Sequence, residues 1–242
     1  MSEDQPYFSS SLINGGSVFS AFSTRALGDG RSHFTITSFL KKAAISYRLL
    51  VKPEQVHSAN ITLITAFEYP ALAKPEETDG VITNLAQVVL AVVTADCVPL
   101  LFYDKKNGVI GASHQGWRGS LKRLPQKMVD GMLSLGAEKK EICAAIGPAI
   151  NDCCYDIDEN RYISFMEEFE SFERQIFHTR KGTRHLSLAR LNFLLLTQSG
   201  LAPANIDFFP FCTSCDSERF FSYRRDSKRN YGEMFSLIAR RV

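Results

Sequence analysis

The chain has 242 residues, 45% hydrophobic, 11% aromatic and 22% charged, a globular composition that excludes a disordered or collagen-like protein. Its 28 Lys and Arg stand against 26 Asp and Glu, so the formal net charge of +2 lacks the basic excess of a nucleic-acid binder. The one basic cluster, Arg224-Arg225-Asp-Ser-Lys228-Arg229, is of a size that suits a solvated face or an anion site. The first residues, Met1-Ser-Glu-Asp-Gln-Pro6, carry acids where a secretory leader carries positive charge, and no apolar run follows them. The most apolar stretch, Val88 to Val93, is too short to span a bilayer and reads as a buried strand. Six cysteines (Cys97, Cys143, Cys153, Cys154, Cys212 and Cys215) in a chain of this size need not be disulfide staples. Reduced thiols in a cytoplasmic protein that binds neither membrane nor nucleic acid are the expectation.

Glycines and prolines are scattered along the chain without repeat or linker, so a single domain over residues 1–242 is expected. In chain order, a first helix is predicted from Ile36, Phe39, Leu40, Ala43 and Tyr47. Strands follow at Ile61–Thr65, Val81–Thr83, Val88–Thr94, Val98–Tyr103 and Val109–Ser113. A second helix is predicted after Ser120 as its cap, through Leu121, Leu124, Met128 and Met132 to a stop near Gly136. Next come a strand at Glu141–Ile146 and a helix from about Asp158 with Tyr162, Phe165, Met166 and Phe169 on one side. The last helix has Ser187 as cap, Leu188, Leu191, Leu194 and Leu195 as its face, and Gly200 as its end. Strands at Ile206–Phe211, Phe220–Tyr223 and Phe235–Ile238 complete the reading. Several strands follow one another directly, which favours an α+β protein with helices outside mixed sheets over a doubly wound parallel sheet.

The chemistry concentrates in Thr94-Ala-Asp96-Cys97-Val-Pro-Leu-Leu-Phe-Tyr-Asp104-Lys-Lys-Asn107-Gly108-Val-Ile-Gly-Ala-Ser-His114-Gln-Gly116-Trp117-Arg118-Gly119. Two apolar strands flank an Asn-Gly tip, a strong hairpin signal. Folding there pairs residues whose numbers sum to roughly 213, which brings Cys97 and His114 to the same end of adjacent strands. A thiol and an imidazole so placed have three readings: separate core residues, a nucleophilic Cys–His pair, or two ligands of a borderline-soft metal such as zinc. The glycines of Gly116-Trp117-Arg118-Gly119 allow close backbone approach to a ligand, and Arg118 offers a planar fork to phosphate or carboxylate. Trp117 is equally consistent with core filling. His57, in Gln55-Val56-His57, is a third candidate ligand, whereas His33, His178 and His185 lie in polar stretches with no inferable partner.

Five ordered motifs, Gln-Val-His (55–57), Ala-Asp-Cys-Val-Pro (95–99), His-Gln-Gly-Trp-Arg-Gly (114–119), Ile-Gly-Pro-Ala-Ile (146–150) and Phe-Phe-Ser-Tyr-Arg-Arg-Asp (220–226), resemble those of the YfiH/YlmD family. Phe22-Ser-Thr-Arg25 is similar to that family's N-terminal signature. Formerly called multicopper polyphenol oxidases or laccase-domain proteins, its members are regarded as purine nucleoside phosphorylases that also deaminate adenosine. The resemblance implies a four-layer α/β/β/α sandwich with mixed sheets and a zinc held by His57, Cys97 and His114. It further implies purine nucleoside (adenosine, inosine or methylthioadenosine) and phosphate as substrates, with Arg25 and Arg118 as the phosphate-holding guanidinium groups and Asp96 either orienting a ligand or serving the strand end.

The sequence departs from the family pattern at Glu54, where lysine is usual, and at Glu233, where arginine is usual. An acid in place of a base beside an anion site weakens phosphate binding. Three further readings therefore stand beside the phosphorylase: a Cys97–His114 thiol hydrolase, a copper-dependent phenol oxidase, and an inactive nucleoside-binding protein. The copper reading ranks low because a multicopper site needs more histidines than the five present. Cys212-Thr-Ser-Cys215 resembles half a zinc knuckle, but a knuckle needs a second pair and the vicinal Cys153-Cys154 lacks that spacing, so partly buried thiols are expected there.

Overall fold

The computed structural model describes residues 6–67, 71–226 and 231–241. Lys228 and Arg229 of the basic cluster, and the acidic start over residues 1–5, lie outside the described residues.

The chain opens with strands β1 (Tyr7–Phe8) and β2 (Val18–Ser23), helix α1 (His33–Lys42), and β3 (Leu49–Val51), β4 (Ile61–Ile64), β5 (Leu72–Ala73) and β6 (Gly80–Thr83). A central run of β7 (Val88–Thr94), β8 (Val98–Asp104) and β9 (Ile110–Gln115) leads into α2 (Trp117–Leu121) and α3 (Leu124–Ser134). After β10 (Ile142–Ile146) come β11 (Asp156–Ile157), α4 (Glu159–Phe169), α5 (Glu173–Ile176), β12 (Phe177–Arg180) and β13 (Thr183–Leu186). The chain closes with α6 (Leu188–Gln198), β14 (Ile206–Phe208) and β15 (Met234–Arg240).

Two six-stranded mixed sheets form, ordered β1-β2-β15-β7-β3-β5 and β14-β10-β8-β9-β6-β4, with a small antiparallel β11-β13-β12 sheet beside them. Alternation along the strands explains the layers. On β7, Val88, Leu90 and Val92 face the second sheet, where they meet Leu101, Ile110 and Ala112. The intervening Val89 and Ala91 face α1 and its Ile36, Phe39 and Leu40. On β8, Leu101 points to the first sheet while Leu100 and Phe102 point to Met128 and Met132 of α3 and Leu191 and Leu195 of α6. Strands buried on both faces read as continuous apolar runs, as Val88–Val93 does. The result is the expected order of helix, sheet, sheet and helices.

Local expectations fare unevenly. Asp158 caps α4 by accepting from Arg161 N at 2.7 Å. Ser120 does not cap a helix. It lies inside α2, where its hydroxyl accepts from buried Asn192 at 3.0 Å, and α3 starts afresh after Arg123 in the left-handed region (φ 59°). Helix α1 stops at Lys42, short of the predicted Tyr47, because Ala44 turns left-handed (φ 52°). Phe220–Tyr223 is irregular chain entering a turn instead of a strand: Ser222 N and Arg224 N donate to the carboxylates of Asp226 and Asp96. Strand β2 escapes the apolar pattern because its serines are buried with partners, Ser20 on Asn14 and Ser23 accepting from Phe235 N.

Candidate metal centre and cavity

The β8–β9 register pairs Val98 with Gln115 and Pro99 with His114, which are the pairs summing to 213. Cys97 precedes β8 by one residue, so its sulfur sits at the same end of the hairpin as the His114 ring. His57 arrives from the 52–60 loop in a left-handed conformation (φ 58°). Its Nε2 lies 3.8 Å from Cys97 Sγ, and its ring meets that of His114 edge to face at 4.7 Å between centroids. One donor atom from each of the three lies within 4.8 Å of the others.

The group that assembles this cluster is Asp79, a lone aspartate with no motif around it in the sequence. It is fully buried at the head of β6, and its Oδ1 accepts from His114 Nδ1 at 2.7 Å, leaving His114 Nε2 toward Cys97. The same carboxylate accepts from the backbone of Val56, His57 and Ser58 and from Ser58 Oγ. One side chain thus fixes the tautomer of one histidine and the loop that carries another. Asp96 does not do this work. Its oxygens accept from Thr213 Oγ1, Ser222 Oγ and Arg224 N, tying the C-terminal loop to the end of β7.

Electrostatics follow from this packing. Burial works against charge on His114, but the Cys97 thiolate and Asp79 outweigh it and raise its pKa to about 10. Burial also pushes the Cys97 thiol up, yet His114 and His57 together bring it down to about 7. Burial raises Asp79 as well, and the His114 and Ser58 hydrogen bonds more than reverse this, holding it below the ordinary carboxylate value.

The glycines of the 116–119 turn serve protein packing. A Cβ on Gly116 would stand 2.6 Å from His57 Cδ2, and one on Gly119 would stand 2.9 Å from the Ser58 carbonyl. The turn therefore seats α2 directly against the loop that carries His57.

The three donors face a cavity of about 660 Å³, within the range of small-molecule sites. Trp117 lies on its wall with the guanidinium groups of Arg118 and Arg161 stacked on it at 4.4 and 4.6 Å. Tyr223 and Tyr231 pack edge to face on another side. Lys52 also lines the cavity, its ammonium donating to the Arg31 carbonyl and its pKa pushed down by burial. Glu54 is exposed and is not among the lining residues, so it lies outside the anion site that the resemblance implied for its position. Glu233 does line it, with its carboxyl raised by burial against the opposing pull of His114 and Arg31. Arg25 stands apart from the lining, donating to the Ser217 carbonyl at 2.6 Å and stacking over Phe221.

The donor set of two imidazoles and one thiolate fits a single borderline metal such as zinc with a position left open. It does not fit several coppers. The remaining histidines lie elsewhere: His33 begins α1, and His178 and His185 sit on the small sheet. His178 has a partner the sequence did not reveal, Asp152 at 3.1 Å.

A mixed two-sheet sandwich with a His–Cys–His cluster at a hairpin end defines a class of proteins. Residues 33–241 match the family described as multi-copper polyphenol oxidoreductase laccase, and the chain belongs to that family. It is 35% identical over 193 residues to purine nucleoside phosphorylase YlmD of Bacillus subtilis, covering 76% of this chain and 68% of that one. It is 33% identical over 199 residues to adenosine deaminase RL5 of an unknown prokaryotic organism, covering 79% and 75%. The crystal structure of YlmD from Geobacillus stearothermophilus superposes with a TM-score of 0.85 at 27% identity, over 100% of this chain and 98% of that one. No helix among the described residues is long and apolar enough to cross a membrane.

Proposed function

We propose that the protein is a zinc-dependent purine nucleoside phosphorylase, converting nucleoside and phosphate to free base and ribose 1-phosphate, with adenosine deamination as a second activity. The observation that carries this is the His57–Cys97–His114 cluster opening onto a cavity whose walls combine aromatic rings with Lys52, Arg118 and Arg161. Zinc in that cluster supplies Lewis acidity toward substrate or water. Aromatic walls suit a flat purine. Arg118, its guanidinium 4.4 Å over the Trp117 ring, presents a fork to a phosphate oxygen, and Lys52 adds a point charge. In this assignment Lys52 takes the phosphate-holding part expected of Arg25. Asp79 keeps His114 pointed at the cluster through the cycle.

The deaminase reading has its own support in Glu233, whose carboxylate shares the cavity and opposes a phosphate dianion but not water. The thiol-hydrolase reading uses the same Cys97 and His114 without metal and makes no use of His57. Metal analysis of the purified protein, followed by product analysis with inosine plus phosphate and with adenosine, tests the proposal. About one zinc at this site, lost in Cys97→Ala, with hypoxanthine and ribose 1-phosphate formed, is the expected result. Full activity in protein stripped of metal would overturn it. Deamination without phosphorolysis would replace it with the deaminase.

A further inference from the structure

Four cysteines outside the cavity converge in space from two distant turns. The Asn151 carbonyl accepts from Cys154 N and Tyr155 N, both at 2.9 Å, so residues 151–155 wind into one tight turn that projects Cys153 and Cys154 together. The Cys212 carbonyl accepts from Asp216 N at 3.1 Å, closing a second turn in which Cys212 and Cys215, three residues apart, share one side. The turns are fastened to each other by the Ala149–Cys212 bridge, by Thr213 N donating to the Ala149 carbonyl at 3.0 Å, and by Asn151 N donating to Cys212 Sγ at 3.4 Å. The vicinal pair thus supplies the second half that the C-x-x-C motif requires, through a fold contact that spacing in the sequence does not reveal.

All four sulfurs lie within 4.8 Å of one another, with Cys215 Sγ 3.4 Å from Cys153 Sγ and 3.3 Å from Cys154 Sγ. A tetrahedral zinc with bonds of about 2.3 Å to four sulfurs sets them about 3.8 Å apart. A disulfide needs about 2.05 Å, and a polynuclear iron–sulfur cluster spreads its thiolates over separate irons. The observed spacing brackets the single tetrahedral ion. The Asn151 N–H on Cys212 is the kind of outer hydrogen bond that steadies a thiolate ligand.

We propose that Cys153, Cys154, Cys212 and Cys215 bind a second zinc ion in a closed, all-thiolate site. Binding releases the four thiol protons to solvent and involves no electron transfer. The ion clamps the 212–216 turn to the 151–155 turn. Thr213 is thereby held where its hydroxyl donates to Asp96 Oδ1 at 2.7 Å, one residue before Cys97. Tyr155, next to Cys154, is a wall of the cavity. The site is structural, and its influence on the cavity runs through these two residues.

The test is zinc stoichiometry of protein made with zinc in the medium and purified under reducing conditions. The natural protein is expected to carry two zinc ions per chain, and Cys97→Ala to keep one. The triple variant Cys97→Ala/Cys153→Ser/Cys215→Ser is expected to carry none. Cobalt-substituted Cys97→Ala should show the strong thiolate-to-cobalt absorption of a tetrahedral four-sulfur site. Should the triple variant fail to fold, mercurial titration of the natural protein still decides: one zinc must leave in step with the modification of these four cysteines, mapped by mass spectrometry. Folded Cys97→Ala without zinc, or a Cys153–Cys215 or Cys154–Cys215 disulfide in freshly purified metal-free protein, would overturn the proposal. The two sites fail separately, because loss of the four-cysteine ion leaves the zinc of the cavity in the natural protein. A misassigned cavity site leaves the metal content of Cys97→Ala equal to that of the natural protein.

Discussion

Asp79 Oδ1 and His114 Nδ1 lie 2.7 Å apart with the carboxylate fully buried and His114 only 3% exposed, and the same residues also share a backbone hydrogen bond from His114 N to the Asp79 carbonyl. This double tie makes the β6–β9 edge the rigid base of the His57–Cys97–His114 cluster. Asp79→Asn keeps the shape but puts an amide donor where the carboxylate now accepts five hydrogen bonds, so at least one buried donor faces another. A loss of about 3 kcal/mol in stability is expected from breaking such a buried pair, together with a roughly 10- to 100-fold loss of zinc affinity. Urea denaturation and competitive chelator titration measure the two. The sign with pH is also set. The folded pKa of Asp79 lies below its ordinary value of 3.8, so its contribution is complete above that value and is lost as pH falls below it. In metal-free protein the gap between natural and Asp79→Asn stabilities should close in acid.

The thiol of Cys97 gives a second test. In metal-free protein, with its pKa near 7, its alkylation rate should climb through neutral pH, well before an ordinary thiol with a value of 9.0. His114→Ala removes the charge that outweighs burial and should shift that climb upward. If zinc engages the sulfur as proposed, loaded protein should resist iodoacetamide until a chelator is added. Rapid, activity-killing alkylation of zinc-loaded protein at Cys97 would favour the thiol hydrolase.

Gly116 predicts a defect far larger than one methyl group suggests. Gly116→Ala places a carbon 2.6 Å from the His57 ring, a contact that real structures do not sustain, so the ring or α2 must move. Because the backbone at Gly116 is ordinary (φ −67°), conformational strain plays no part in the loss. Zinc binding should weaken by at least tenfold while the circular dichroism spectrum stays that of the natural protein. Unchanged zinc affinity would show that His57 is not held as a ligand.

What was readable in the sequence was local or periodic. The hairpin at Asn107-Gly108 fixed the register that brings Cys97 near His114, because turn chemistry and alternation reside in adjacent residues. Asp79 was not readable: its five bonds reach residues 21 to 35 positions away, and a lone aspartate before a short strand carries no pattern. The four-cysteine cluster was hidden for the same reason, with some sixty residues between its halves. Glu54 misled in the opposite sense. It stands just before Gln-Val-His, where the family resemblance implies a phosphate-binding lysine, but Lys52 lines the cavity while Glu54 is exposed and outside its lining.

If Glu54 stood beside the phosphate, Glu54→Lys would tighten phosphate binding, but with its side chain exposed and outside the cavity it should leave the apparent phosphate constant unchanged within twofold. On the proposed function the charge that opposes phosphate is that of Glu233, whose backbone is pinned by Asp29 and Gly30 and whose side chain lines the cavity with Lys52 and Arg118. Glu233→Gln removes that charge at nearly constant volume. A gain of roughly 1 kcal/mol is expected for one partly screened pair, or several-fold in the phosphate constant. Deamination of adenosine, which needs only water, should change less. Steady-state assays of inosine cleavage across phosphate concentrations, run on both variants, measure the difference. Equal effects of the two substitutions would place the phosphate outside this cavity.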